Sequence, residues 1–301
     1  MLFRSIIAWN RALEEMTGVS KEEMLGKGEG AYAVTFYGEP REIVVDLLDH
    51  EESVAEKGYK KVKRGENRVY AEAHVPKLYG GRGAHVWVAA SKLFDGQGNQ
   101  VGAIETVRDV TDRVQDTQRL KRFQESVLQL LTHEDVVTAN LPAAWRAITE
   151  EVAQAARVDR AGVWFFSDDG SFIEITDLYQ GTATGGHHER GYRIETEKHP
   201  RYKRLLEEGR TLVVDDVQSD PRTVEFSEYT KPARVGASSN APVRDHGRFV
   251  GAVSLEAQGG PRRWRLDEAN FAAHVADVVA QLVLARVRRD DGRVLWRPHR
   301  R

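Results

Sequence analysis

The spacing of apolar positions changes twice along this chain, and those changes divide it. "SIIAWN" (Ser5 to Asn10) is a short apolar run that predicts a strand. "RALEEMTG" predicts one or two helical turns, stopped by Gly18 as a left-handed C-cap residue. Ser20, with Glu23 three residues on, forms a capping box that opens a second short helix, "KEEMLG". In "EPREIVVDLLDH", Ile43, Val44, Leu47 and Leu48 share one face with Pro40 near the first turn, which predicts another helix. The period then falls to two. Val69, Ala71, Ala73 and Val75 alternate along "RVYAEAHVPKL", as in a half-buried strand. "GGRG" (Gly80 to Gly83) turns it, "AHVWVAASKLF" returns, "DGQGN" turns again and "QVGAIETVRDV" closes a three-stranded meander.

Helical spacing resumes after "RDVTDR" (Arg108 to Arg113). Over residues 112–131, Leu120, Phe123, Val127 and Leu130 follow each other at three, four and three. That is the seam of a coiled coil, or the face of a helix packed on the next domain. "LPAAWRAITEEVAQAA" is an amphipathic helix, and "RAGVWFFSDDGSFIEITDLY" reads strand, turn, strand, with the turn at Asp168 to Gly170. "HPRYKRLLEEG" is a helix started by Pro200 and stopped by Gly209, and "TLVVDD" is a short buried strand. In "DPRTVEF", Asp220 is placed to cap a helix with Pro221 at its first position. "VGASSNAPVRDHGRFVGAVSLE" is a hairpin turned at Asp245, His246 and Gly247. A last helix starts near Leu266, with Phe271, Val275, Val278, Leu282 and Ala285 on one seam.

Two families share these residues. "WNRALEEMTGVSKEEMLGK" and "DGQGNQVGAIETVRDVTDR" resemble the beginning and the end of a PAS sensory domain. "DLY", "DPRTVEF", "APVRDHGRFVGAVSLE" and "RRWRLDEANFAAHVAD" resemble a GAF domain of the kind found beside PAS domains in bacterial and archaeal sensor proteins. The resemblance implies an α+β chain of two domains, each an antiparallel sheet with helices, joined by a helical linker. The PAS-like domain is expected over 1–111, the linker over 112–131, the GAF-like domain over 132–287 and a basic irregular tail over 288–301. It also implies a sensor: a small ligand binds between sheet and helices, and strain passes into the connecting helices. A homodimer through helices 112–131 and 266–286 is the expected assembly. Fold alone does not name the ligand.

Composition trims the list of chemistries. The 301 residues carry 41% hydrophobic and 30% charged side chains, as a globular chain does, and a net charge of −2 that advertises no nucleic-acid partner. There is no cysteine, which removes disulfides, thiolate metal sites and cysteine-linked flavin or bilin. No apolar run has the roughly 20 residues a membrane span needs, so a cytoplasmic location without membrane contact is expected. No catalytic domain is expected within these residues. "THEDVVTANLP" has His133 and Glu134 but lacks the basic residue and Thr-Pro step of a histidine-kinase phosphoacceptor box. The alternative is a sensor histidine kinase whose transmitter domain lies outside this sequence. Cyclic-nucleotide GAF domains carry a Phe where Arg263 stands here, and Asp267 and Glu268 read as charges at a helix start. Haem is disfavoured: His187 and His188, the visible GAF candidates, read as a mobile Gly-rich loop. His74 and His85 read as half-exposed residues of the meander strands, and the cofactor is unassigned.

The remaining candidates are few. Trp87 and Trp164 are weak pocket candidates. "RDVTDR" is the stronger one, with Arg108, Asp109, Thr111 and Arg113 as signal-coupling residues. Thr111 or Asp109 can cap the free N–H groups of the outgoing helix, Asp112 favours its positive end, and Asp109 can pair with Arg108 or Arg113. A PAS sheet also has a central strand upstream of "WN", for which this sequence has little room. The PAS unit is therefore expected to lack that strand and to be unstable alone. The tail "RVRRDDGRVLWRPHRR" is basic and has no period, which suggests a gene fragment or frameshift, with a nucleic-acid-binding tail as the alternative.

Overall fold

A computed structural model describes residues 5–28, 30–49, 58–182, 185–209 and 211–289 of the chain, which divides into two units, Met1–Gln118 and Arg119–Arg301. The expected tail lies almost wholly outside the described residues.

In the first unit, capping chemistry sets the early helices. Asn10 Oδ1 accepts the Leu13 N–H at 3.0 Å to open α1 (Arg11–Thr17), and Gly18, at φ 74°, closes it by donating to the Glu14 carbonyl. Ser20 Oγ accepts the Glu23 N–H at 3.3 Å over α2 (Lys21–Met24). α3 (Ala31–Tyr37) follows, with Ala33 and Phe36 buried. Two expectations fail here. Ser5 to Asn10 is not a strand of the sheet; instead Ile6 exchanges backbone hydrogen bonds with Lys27 (2.9 Å) and Gly26 (2.8 Å). The helix expected in "EPREIVVDLLDH" is a loop ending in a 3-10 turn, Asp46–Asp49. Side chains take the N–H groups there: Asp46 accepts from Ile43 at 2.9 Å and Glu105 from Val45 at 2.7 Å. Ile43, Val44 and Leu47 are buried all the same.

The sheet is antiparallel in the order β1 (Lys60–Gly65), β2 (Arg68–Val75), β3 (Ala84–Phe94), β4 (Gln100–Asp109), with the helical turn α4 (Leu78–Gly81) between β2 and β3. The expected meander is β2 to β4. β1 is hidden in the sequence because "KKVKRG" has a single apolar residue, as suits a charged edge strand. The alternating residues of β2 and β3 close over Trp9, Met16, Met24, Phe36 and Leu78.

In the second unit α5 (Thr111–Thr132), which begins in the first, is followed by α6 (Glu134–Val137) and α7 (Leu141–Ala156). Next come β5 (Arg160–Phe166), β6 (Phe172–Thr182), β7 (Gly185–Glu189), β8 (Arg193–Glu195), α8 (Pro200–Glu207), β9 (Leu212–Val214) and α9 (Ser227–Thr230). β10 (Val235–Asp245), β11 (Arg248–Gln258) and α10 (Leu266–Arg289) complete it. The sheet runs β7-β6-β5-β11-β10-β9, with β8 also on β6. His246 and Gly247, both at positive φ, turn the β10–β11 hairpin as expected. No α-helix starts at Pro221: Asp220 turns its carboxylate onto Arg222, and the chain passes through a 3-10 turn, Val224–Phe226, into α9.

Both seams point mainly inward, Leu120 of the α5 seam excepted. Phe123 of α5 stacks on Phe271 of α10 at 4.3 Å, and Leu130, Val275, Val278 and Leu282 are buried in the same core. Arg119 binds Asp267 at 2.8 Å and Arg122 donates to the Ala155 carbonyl at 2.7 Å. These seams therefore belong to the domain's interior. Leu120, Leu128 and Leu131 of α5 are left outward, at 48%, 62% and 50% exposure.

Candidate functional site

At the end of β4, Asp109 and Thr111 divide the work of starting α5. Asp109 Oδ1 accepts the Thr111 N–H at 2.8 Å, which satisfies a first-turn donor. The Thr111 hydroxyl turns away to β3, accepting the His85 N–H at 2.9 Å, while Val110 donates to the His85 carbonyl at 2.8 Å. Burial raises the Asp109 carboxyl, but the hydrogen bonds from Thr111 and Tyr79 outweigh it and hold the group below the usual range. Tyr79 sits at φ 53°, ψ 45°, a strained position for an aromatic residue. Arg113 does not pair with Asp109. It binds Glu72 of β2 at 2.7 Å, and Lys61 of β1 holds the other carboxylate oxygen at 2.8 Å. Three strands of one sheet thus grip the first turn of α5. Trp87, opposite Arg108 in the β3–β4 register, lines an open surface cleft with residues 108–113 and stacks on Tyr70.

The second unit holds a further site, against its sheet. Its sheet is buried on both sides, and strand alternation gives the sides different chemistry. Ala161, Val163, Ala237, Ala241, Val253 and Leu255 face α7 and α10. The opposite side carries Trp164, Ser238, Asn240, Ser254 and Glu256, all buried. Against it lies a cavity of about 50 Å³ walled by Trp164, Tyr202, Phe226 and Tyr229. Glu256 is held by Tyr229 Oη at 2.9 Å and lies 3.1 Å from Arg160 Nη1 on β5, its neighbour in register. Burial raises the Glu256 carboxyl, opposed by Arg160. Trp164 Nε1 donates to Ser254 Oγ at 3.0 Å, and Asn240 Nδ2 to Ser238 Oγ at 3.1 Å. An outer cavity of about 90 Å³ shares Ile194, Phe226 and Tyr229 with the first and is lined by His199, Glu195 and Glu228.

Of the weak ligand candidates, only Trp164 lines this site. His187 and His188 are not in a mobile loop but on β7: His187 is exposed beside Glu189, and His188 Nδ1 lies 2.8 Å from the fully buried Asp177. Asp177 also binds Thr149 and Arg190, so His188 ties β7 to β6 and α7. Asp267 and Glu268 are engaged by Arg119 and Arg262 at the α10 start. Among the described residues no group of three or more His, Asp or Glu side chains is placed to hold a metal ion. Sequence reasoning missed Glu256, Arg160 and Tyr229. The available signal was Ser238, Asn240, Ser254 and Glu256 at alternate positions in the apolar or small middle stretches of two strands.

A family model for the PAS fold matches residues 4–115, and one for the GAF domain matches residues 140–283. No curated protein matches the chain significantly. Among solved structures, one similar chain is the chromophore-binding domain of a Stigmatella aurantiaca bacteriophytochrome, at 17% identity and TM-score 0.45, covering 90% of this chain and 88% of that one. A domain described as part of a two-component sensor histidine kinase of Sinorhizobium meliloti 1021 gives 17% and 0.39, covering 51% and 97%. The free methionine-R-sulfoxide reductase of Neisseria meningitidis gives 13% and 0.43, covering 56% and 91%. No residue role follows from likeness at this level.

Proposed function

With a PAS-fold domain over residues 4–115 and a GAF domain over 140–283, we propose that this chain is a sensory signalling module. In this reading its GAF cavity binds a small molecule and α5 relays the occupancy. The observation that carries the reading is the polar face of an otherwise buried sheet, closed over a cavity by Trp164, Tyr202, Phe226 and Tyr229. Polar groups buried this way serve packing poorly and ligand recognition well. The relay has a contiguous path. The sheet that walls the cavity rests on α7 and α10, and these pack on the half of α5 that carries Phe123 and Leu130. The other end of α5 is the turn held by Asp109, Thr111 and Arg113.

The outward leucines of α5, Leu120 from the expected seam with Leu128 and Leu131, supply a surface for a homodimer. The module acts as an input to a partner or to a further domain, such as a histidine-kinase transmitter, and performs no catalysis itself. A location in the cytoplasm belongs to the same reading; among the described residues, no helix is long and apolar enough to cross a membrane.

The test is a panel of small anionic, neutral and cationic compounds titrated against the thermal midpoint of the full chain and of Ser238→Leu, which fills the cavity. At least one class is expected to raise the wild-type midpoint and leave the variant unmoved. A panel without effect on the wild-type chain contradicts the reading.

A further inference from the structure

We propose that the GAF cavity selects a small organic cation, an ammonium or guanidinium head group, seated between the aromatic walls and Glu256. The proposal rests on the reading of this cavity as a ligand site and adds the class of ligand. Size comes first. A cavity of about 50 Å³ has room for roughly two to four non-hydrogen atoms. Anything larger must extend into the outer cavity of about 90 Å³ that shares Ile194, Phe226 and Tyr229 with it.

Charge comes next. Glu256 is the ionisable group facing the inner cavity together with the phenols of Tyr202 and Tyr229. Its partner Arg160 stands between two carboxylates, Glu256 at 3.1 Å and Glu189 at 3.7 Å. Glu189 also has His187 at 3.2 Å, so an incoming cation can take Glu256 while Arg160 and His187 keep Glu189. The outer cavity is lined by two cations, Arg193 and Lys198, and two anions, Glu195 and Glu228. Lys198 is held by Glu195 and Arg193 by Glu174, whereas Glu228 makes no ion pair with a described residue.

The walls suit a cation as well. Trp164 and Tyr229 meet at 86° and Tyr202 and Phe226 at 66°, and the Tyr229 ring already holds the Arg160 guanidinium 5.5 Å from its centroid. Ring faces attract cations most strongly where water is excluded. An acceptor also waits without a partner. His199 Nδ1, in the outer cavity, is buried and makes no hydrogen bond, and burial together with the nearby Lys198 favours the neutral imidazole, although the surrounding glutamates oppose this. A donor-rich head group satisfies that nitrogen when the neutral ring carries its proton on Nε2.

The test compares three planar, Y-shaped probes of opposite charge and like size: guanidinium chloride, urea and sodium acetate, with sodium chloride as control. Each is titrated at low millimolar concentration into the full chain, and the indole N–H resonance of Trp164, assigned with Trp164→Phe, is followed. Guanidinium is expected to saturate the shift at a concentration about tenfold or more below urea, and acetate to leave it in place. Glu256→Gln is expected to remove the preference for guanidinium over urea. Urea or acetate binding as tightly as guanidinium overturns the cation assignment and leaves the ligand cavity standing. No response to any of the three overturns the assignment too, and the wider compound panel then decides on the cavity itself. Should Glu256→Gln not fold, the three-probe comparison on the wild-type chain is decisive alone.

Discussion

Single residues carry two kinds of strain here, one at the turn into α5 and one in the PAS interior. Asp109 holds the Thr111 N–H, so Asp109→Ala is expected to cost about 1 kcal/mol, the usual effect of losing a helix cap. Faster amide exchange over residues 111–114, with the GAF strands unchanged, is the readout. Glu105 is the PAS counterpart. Burial pushes its carboxyl up to about 8, against the single hydrogen bond from the Val45 N–H. The folded state therefore keeps a proton that the unfolded chain gives up above its ordinary carboxyl pKa. The stability linked to Glu105 is complete below that ordinary value, falls as pH rises through about 8, and changes by up to about 1.4 kcal/mol per pH unit in between. Glu105→Gln keeps an acceptor for Val45 and removes the titration. Thermal unfolding is expected to show the variant gaining on the wild-type chain between about pH 5 and about pH 8; parallel curves would mean that Glu105 ionises freely when folded.

At the scale of elements, α5 does two jobs that its sequence does not separate. Its seam spacing fits a coiled coil and a core helix equally, because both need apolar residues at three and four. Packing on Phe271 decides for Phe123 and Leu130, and leaves Leu128 outside. Phe123→Ala is expected to destabilise the GAF unit by about 3–5 kcal/mol, while Leu128→Ala leaves the melting midpoint in place and weakens self-association in sedimentation. The same ambiguity of pattern explains what the sequence hid. The β2–β4 meander and the β10–β11 hairpin were legible because alternation and turn residues agreed. β1 was not, since an edge strand needs no apolar alternation, and the loop before Asp46 was not, since its N–H groups are claimed by Asp46 and by Glu105, which is distant in sequence. At the joint the Asp109 cap was legible, but the Thr111 hydroxyl turns to His85 and Arg113 to Glu72 across the sheet. The cavity was not: Glu256 reads as an ordinary charge until Arg160 and Tyr229 are brought beside it by strand pairing.

At the scale of the whole molecule, the proposed relay runs from a polar cavity to a helix that is anchored at both of its ends. The GAF sheet turns Ser238, Asn240 and Glu256 toward the cavity, and Ala237, Ala241, Val253 and Leu255 toward α7 and α10, with buried Ser239 among them. Any ligand that moves this sheet must move the helices resting on it, because interiors packed at crystal density transmit displacement instead of absorbing it. The most direct measurement is amide hydrogen exchange along the full chain, with and without whichever of guanidinium, urea and acetate saturates the Trp164 signal. The account predicts altered exchange in β5, β10 and β11 and, together with it, in α5 from Thr111 onward. Changes confined to the cavity strands, with α5 exchanging at its unliganded rate, would contradict it.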